Sequence, residues 1–454
     1  GESLPCPASC FSVLAHSVFT MEGQRVLPQF DALPDGQSHL LSGAKPKGGN
    51  AKMQERRITK RTTASLTGYA ILLGIGFLQY FLLSGVNNTY EILKPYGMFV
   101  TSIREGGVAD KWVWILKDFS EGQFYGGFFA GLGLILGGLA AWRLDVRKSR
   151  LRGFDIVYGL NIWPWILASQ VLAIVFSIFC LRYLELIDGV RFTWLPTFLL
   201  LVGAPQAVLC VYGPNWRNLV TGVLLASFLS VPIANFVNAG IMTPIGMPGT
   251  IANYFALALS ITLTLQVCKL APWIEKVRHP VIAENRRTLS GQQQYELLKS
   301  PMFLIRRTLA DFTDCYFYGN EWPALFLIIG GIVDWIINHE HGMCGAKVFP
   351  AILLSQLVSG GLGVFLYGRK HIENGWYPTY VPVVSIAPFC VLTFGTSLHT
   401  VLFASILGGL IGAPFADLLN RNLAEDLHGV IPNVLAMGLC TMTVIAVMRA
   451  LPWF

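Results

Sequence analysis

Charge is what this sequence is short of. Only 13% of its 454 residues are Asp, Glu, Lys or Arg, while 53% are hydrophobic; a soluble domain carries about a quarter charged residues. Most of the chain therefore cannot be solvated surface, and a mean hydropathy of +0.54 assigns it to lipid. Paired cysteines are also missing. The nine cysteines, at 6, 10, 180, 210, 268, 315, 344, 390 and 440, form no CxxC, which argues against a disulfide frame or a zinc site and leaves them as small core residues. No Walker loop, HExxH, nucleophile elbow or glycine dinucleotide fingerprint occurs, so no cofactor is expected. The net charge of +7 forms no basic stripe interleaved with aromatics, so no nucleic-acid partner is expected. The opening GESLPCPASCFSVLAHSVFTMEGQ lacks the basic n-region of a signal peptide. Residues 1–62, rich in Pro, Gly and Ser toward their end, read as a disordered cytoplasmic tail.

What is there is a series of apolar runs close to the ~20 residues a helix needs to cross a bilayer. Eleven are expected: Ser65 to Gly85, Phe124 to Trp142, Ile162 to Leu181, Phe192 to Tyr212, Leu219 to Phe236, Thr250 to Leu270, Trp322 to Asn338, Val348 to Tyr367, Tyr380 to Phe394, Leu398 to Leu419 and Ile431 to Leu451. The 40-residue apolar tract from Tyr380 to Leu419 is split at Gly395 to Ser397. With the N-terminus cytoplasmic, inner segments hold 23 Lys and Arg and outer loops 7, which favours that orientation. The expected location is a bacterial cytoplasmic membrane.

One phrase is written twice. LKDFSEGQFYGGFFAGLGLILGGLAAW (Leu116 to Trp142) aligns without gaps on LADFTDCYFYGNEWPALFLIIGGIVDW (Leu309 to Trp335), with 12 of 27 positions identical. Further matches follow in order: PWILASQ (Pro164 to Gln170) with PAILLSQ (Pro350 to Gln356), VPIAN (Val231 to Asn235) with APFAD (Ala413 to Asp417), and GTIAN (Gly249 to Asn253) with GVIPN (Gly429 to Asn433). Each copy contains five expected spans, and an odd number makes the second copy enter from the opposite face. The reading is an all-α polytopic protein: one N-terminal helix plus two inverted five-helix repeats. The first helix and repeat 1 occupy 63–270, a cytoplasmic amphipathic linker 271–308, and repeat 2 309–454. Inverted repeats commonly build a solute site between two halves, so the leading expectation is a transporter or channel for a small polar solute. A membrane-embedded enzyme acting on a lipid-linked substrate and a non-transporting scaffold subunit are the alternatives. Partners are the lipid bilayer, the solute and further copies of the chain.

Candidate solute-binding residues are Asp417, Asn235, Asn253, Asn433, Gln170, Gln356 and His399. Pro232 and Pro414 break helix bonding within a span, and the polar residue three positions later, Asn235 or Asp417, falls near the freed carbonyls. An intramembrane carboxylate is expensive and usually functional, which singles out Asp417. Asn253 and Asn433 lie one turn into their spans, where free N–H groups attract polar carbonyls; helix–helix bonding by a buried amide is the structural counterpart. His399 and His428 are proton-shuttle candidates or interfacial residues. Asp118, Glu121, Asp311 and Asp314, ahead of a span in each copy, serve either as caps for that span's N-terminus or as mirrored acidic vestibules. HEHGMC (His339 to Cys344) has metal-ligand residue types but no established zinc spacing.

The phrase D-F-x-x-x-x-F-Y-G, followed by an apolar span and an inverted five-helix unit, resembles the plan of urea-transporter-type channels. It is similar also to uncharacterised bacterial membrane proteins with a P-x-A-x-x-L…H-G-x-x-x-N pattern, here Pro414, Ala416, Leu419, His428, Gly429 and Asn433. The resemblance covers short motifs and the overall plan, without the paired LPF-type pore motifs of urea transporters. It implies a channel fold for a small polar solute.

Overall fold

The computed structural model describes residues 58–59, 61–86, 91–188, 194–277, 289–424 and 427–454. The expected tail through residue 57 and linker residues 278–288 lie outside the described residues. The described residues form α1 (Leu66–Ser84), α2 (Tyr96–Arg104), α3 (Val108–Glu121), α4 (Phe128–Val146), α5 (Trp163–Val175), α6 (Ala204–Tyr212), α7 (Trp216–Val237) and α8 (Ala252–Leu270). They continue with α9 (Gly291–Lys299), α10 (Pro301–Asp311), α11 (Glu321–Ile337), α12 (Phe349–Asn374), α13 (Ile386–Phe394), α14 (Leu398–Asn420) and α15 (Val430–Ala450). No strand occurs among the described residues.

Among the described residues, eight helical segments are long and apolar enough to cross a membrane: Leu66–Ser84, Phe128–Val146, Trp163–Cys180, Trp216–Met242, Gly249–Leu270, Phe349–Asn374, Leu398–Asn420 and Val430–Ala450. The chain is an integral membrane protein. Its helices start and stop on local chemistry. The Ser65 hydroxyl accepts the Gly68 N–H at 3.2 Å to open α1, Asn215 caps α7 in the same way, and Gly375, at φ 77°, ends α12 in the left-handed region.

The other three expected spans are not continuous helices of eighteen residues or more. Between Phe192 and Tyr212, a 3₁₀ turn (Thr197–Leu200) is separated from α6 by residues 201–203. Pro196, Gly203 and Pro205 all fall at this break, where proline withholds an N–H and a Cβ at position 203 would run into Leu199 O. The Tyr380 to Phe394 run begins as turns and becomes helical only at Ile386. The remaining short span, α11, has 17 residues. The split of the long apolar tract falls where it was expected, with α13 ending at Gly395 and α14 opening after Ser397.

The end of the linker differs from a surface helix. In α10, Phe303, Leu304, Arg307 and Asp311 are buried, and the helix packs on α1 and α12. Gly68 of α1 lets the backbone of Pro301 approach. MFLIRRTLADF is thus part of the bundle.

The two copies of the repeated phrase touch each other. Side chains built at Gly133, Gly137 and Gly330 would run into the backbone of Phe326, of Trp322 and Pro323, and of Phe129 and Ala130 respectively. Higher numbers in α4 meet lower numbers in α11, so the helices cross antiparallel, backbone against backbone, as small residues permit. The crossing pair Gly133 and Phe326 are also partners in the sequence alignment.

Left-handed residues fall at aligned positions. Phe124 and Phe317 both have φ 62°; Val157 and Met343 have 48° and 45°, Tyr158 and Cys344 55° each, and Asn161 and Lys347 53° and 55°. A non-glycine residue held there costs about 1–3 kcal/mol. Contacts from the other copy hold two of these sites: the Val157 N–H donates to Tyr318 O at 3.1 Å, and the Met343 N–H to Tyr125 O at 3.0 Å.

Gly330→Val should destabilise the protein in detergent by about 1–3 kcal/mol, the usual cost of overpacking a close contact. Gly74→Val on α1, where nothing lies within 4 Å of the new Cβ, should leave the unfolding midpoint nearly unchanged. Thermal unfolding of the two variants checks the contrast.

Candidate functional site

Each copy of the D-F-[ST]-x-x-x-F-Y-G phrase ends a helix and turns a loop, and a hydroxyl closes that loop. Ser120 Oγ donates to Gly127 O at 3.0 Å and accepts the Gly127 N–H at 2.9 Å. Thr313 does the same with Asn320 at 3.0 and 3.4 Å. The loops also reach across to one another. The Tyr125 hydroxyl donates to Gln356 Oε1 at 2.9 Å, and the Tyr318 hydroxyl to Gln170 Oε1 at 2.9 Å. Tyr125 aligns with Tyr318 and Gln170 with Gln356, so the bonds are exchanged reciprocally. The amide of Gln356 continues to Gln123 O and Val383 O, and that of Gln170 to Leu201 O. Both glutamines, expected to bind solute, are fully buried latches between copies.

The four acids ahead of the spans are buried at the ends of the preceding elements. They do not cap the following helices: α4 follows Gly127, and α11 is capped by Asn320 accepting the Trp322 N–H at 2.8 Å. Asp118 and Glu121 instead close the C-terminal end of α3, and Asp311 that of α10 with Asp314 just beyond. A helix C-terminus repels negative charge, so each pair needs a cation.

In the first cluster that cation is Lys117, buried with its Nζ 4.0 Å from Glu121 and 3.5 Å from His341 O. It lies over the rings of Tyr96 and Phe99, at 5.2 and 5.7 Å, an arrangement that compensates a desolvated ammonium. Asp118 accepts from the Thr197 hydroxyl, which accepts the Trp114 indole N–H at 2.8 Å. Burial drives both carboxyls above the ordinary range, with the neighbouring Glu121 charge adding to the shift of Asp118.

In the second cluster Arg307 spans two carboxylates. Its Nη2 is 2.7 Å from Asp311 Oδ1 and 2.7 Å from Asp314 Oδ2, while Nε is 3.2 Å from Asp311 Oδ1. The guanidinium lies 5.1 Å from the ring centre of Phe154. Thr379, which aligns with Thr197, neighbours Asp311 and sits 2.8 Å from His371 Nε2. Burial raises both carboxyls, and Arg307 opposes it.

The remaining expected residues are placed apart from these clusters. Asp417 is not an unpaired carboxylate inside a span: Lys370 and Arg421 bind it at 2.7 and 2.8 Å, with the Tyr377 hydroxyl at 3.4 Å. Arg421 is 66% exposed, so this is an ion cluster open to solvent at the end of α14. Asn235 is half-buried near the end of α7, which contains Pro232. Asn433 is buried and accepts from Asn420 at 2.7 Å, the helix-to-helix amide bond foreseen as its structural role. Asn253 is buried at the start of α8. His399 is exposed beside Ser397 and Phe454, and His428 packs on Phe317 and Tyr158. In HEHGMC, His341 Nδ1 is 2.7 Å from Lys94 O, and no group of three or more metal-ligating residues gathers among the described residues. A cavity of ≈ 20 Å³ lies among Tyr125, Asp334, Asn338, His339 and Phe349, room for about one water.

Lys117, Arg307, Thr197 and Thr379 were not among the expected site residues. The alignment held the signal for the threonines, whose separation of 182 equals that of Gly213 and Gly395. Comparison with family models, with curated proteins and with solved structures gave no match.

Arg307→Met strands two buried carboxylates and should cost about 3–5 kcal/mol. Adding Asp311→Asn and Asp314→Asn should recover most of that loss, measured as the unfolding midpoint in detergent.

Proposed function

We propose that this chain is a transmembrane transporter or channel for a small polar solute, with its path along the boundary between two inverted five-helix copies. The reciprocal exchange of contacts carries this reading. Tyr125 reaches Gln356 as Tyr318 reaches Gln170, and α4 crosses α11 antiparallel at aligned residues. Such self-complementary pairing is the mark of a two-fold relation. For helices that cross a bilayer and meet antiparallel, that axis lies in the membrane plane. The urea-transporter-like plan of the sequence is in keeping with it.

The buried ion clusters mark the path. Ionisable groups within a membrane bundle are costly and belong by default to substrate or ion routes. There is one cluster in each copy, whereas an enzyme acting on a lipid-linked substrate would gather its acids at one face. The Tyr–Gln bonds close the boundary, and opening it to either side means releasing one of them. The Lys and Arg distribution supports a cytoplasmic N-terminus.

Two measurements test this. Cysteines placed at exposed Lys276 and Lys347 should label from opposite faces of sealed vesicles; labelling from the same face overturns the inverted arrangement. Purified protein in liposomes should accelerate entry of at least one member of a panel of small amides, amines and polyols, and Glu121→Gln should slow it. No flux across the panel, with protein confirmed folded and inserted, would leave a scaffold role as the better reading.

A further inference from the structure

We propose that Asp311 and Asp314 form an internal proton-binding site in which the two carboxyls share a single proton under the clamp of Arg307. This goes beyond the proposed transport and depends on no particular solute.

The argument begins with geometry. One guanidinium nitrogen holds an oxygen of each carboxylate at 2.7 Å, so the two acids are forced into proximity. Asp311 is fully buried and Asp314 is 3% exposed. Asp311 Oδ2 is buried and makes no hydrogen bond of ordinary length, with the Thr379 hydroxyl beside the carboxyl. A buried, unpaired carboxylate oxygen is expensive while it carries charge, and it is where a proton can sit.

Charge balance points the same way. Two carboxylates against one guanidinium leave an excess negative charge, and carboxylates sharing a site do not both ionise readily. The groups around them do not neutralise it. Arg306 is engaged by Glu321 at 2.6 Å. His371 of α12 meets Thr379, Trp376 is a neutral neighbour of Asp314, and Tyr158, Tyr380 and Cys315 bring no cation to the cluster. One bound proton makes the triad neutral. The first cluster lacks the clamp: Lys117 is 4.0 Å from Glu121.

The shared site predicts a behaviour that a single buried acid would not show. Replacing either residue by Asn leaves one carboxylate facing one guanidinium, a balanced pair with no need of the proton. Infrared difference spectra of purified protein between acidic and alkaline buffer should contain, in the wild type, a carboxylic-acid carbonyl component shifted in heavy water, over and above the bands of the buried Asp118 and Glu121. That component should vanish in both Asp311→Asn and Asp314→Asn and persist in His371→Gln. Absence of that component in wild type, its survival in either Asn variant or its loss in His371→Gln would overturn the shared site.

Stability offers a second reading. An acid whose folded-state pKa is raised leaves the folded protein holding more protons than the unfolded chain between the two values. Stability from this site is therefore greatest at low pH and falls as pH rises through that window. The unfolding midpoint of wild type relative to Asp311→Asn should decline with pH above the ordinary carboxylate range; a constant difference counts against the proposal.

Discussion

A polar atom inside this bundle is satisfied within the protein or left costly, because hydrocarbon offers no partner. That constraint shapes the loops between helices. The turn after α3 is closed by Ser120 and the turn after α10 by Thr313, each hydroxyl serving as both donor and acceptor for the residue seven places on. The tyrosines of these turns are satisfied by glutamines of the opposite copy. A polar requirement local to each loop has thereby become the joint between the two halves.

Charge follows the same rule by a different route. The acids stand at aligned positions in both copies, but their cations do not: Arg307 aligns with Trp114, and Lys117 with Ala310. The compensation was therefore placed separately in each copy. Lysine provides a point charge that leans on aromatic faces, while arginine's planar fork spans two carboxylates at once. The two clusters consequently differ in what they hold, one a lysine over rings and the other a triad with an unpaired oxygen.

Eight of the apolar runs form helices long and apolar enough to cross a membrane, as their length and hydropathy implied. The alignment of Tyr125 with Tyr318 was legible too, although the partners of these residues were not, since Gln356 lies 231 positions from Tyr125. Composition concealed the breaks before α6 and α13, where the chain stays apolar while its backbone leaves the helix. Glycine is the usual marker of positive φ, so nothing in Val157, Tyr158, Met343 or Cys344 announced their conformation. The pairing of Asp417 was not legible because Lys370, 47 positions away, cannot be placed beside it without the fold.

The spacing between aligned residues drifts along the chain. It is 193 from Phe124 to Phe317, 186 from Val157 to Met343, 182 from Gly213 to Gly395 and 180 from Asn253 to Asn433. The spacing shortens between Trp142 and Val157, between Gln170 and Thr197, and between Asn235 and Asn253. These three intervals contain connections between packed helices, and the aligned intervals later in the chain are the shorter ones. Length differs there and not in the interlocked core, which makes these three connections the natural places to graft an epitope or a reporter domain.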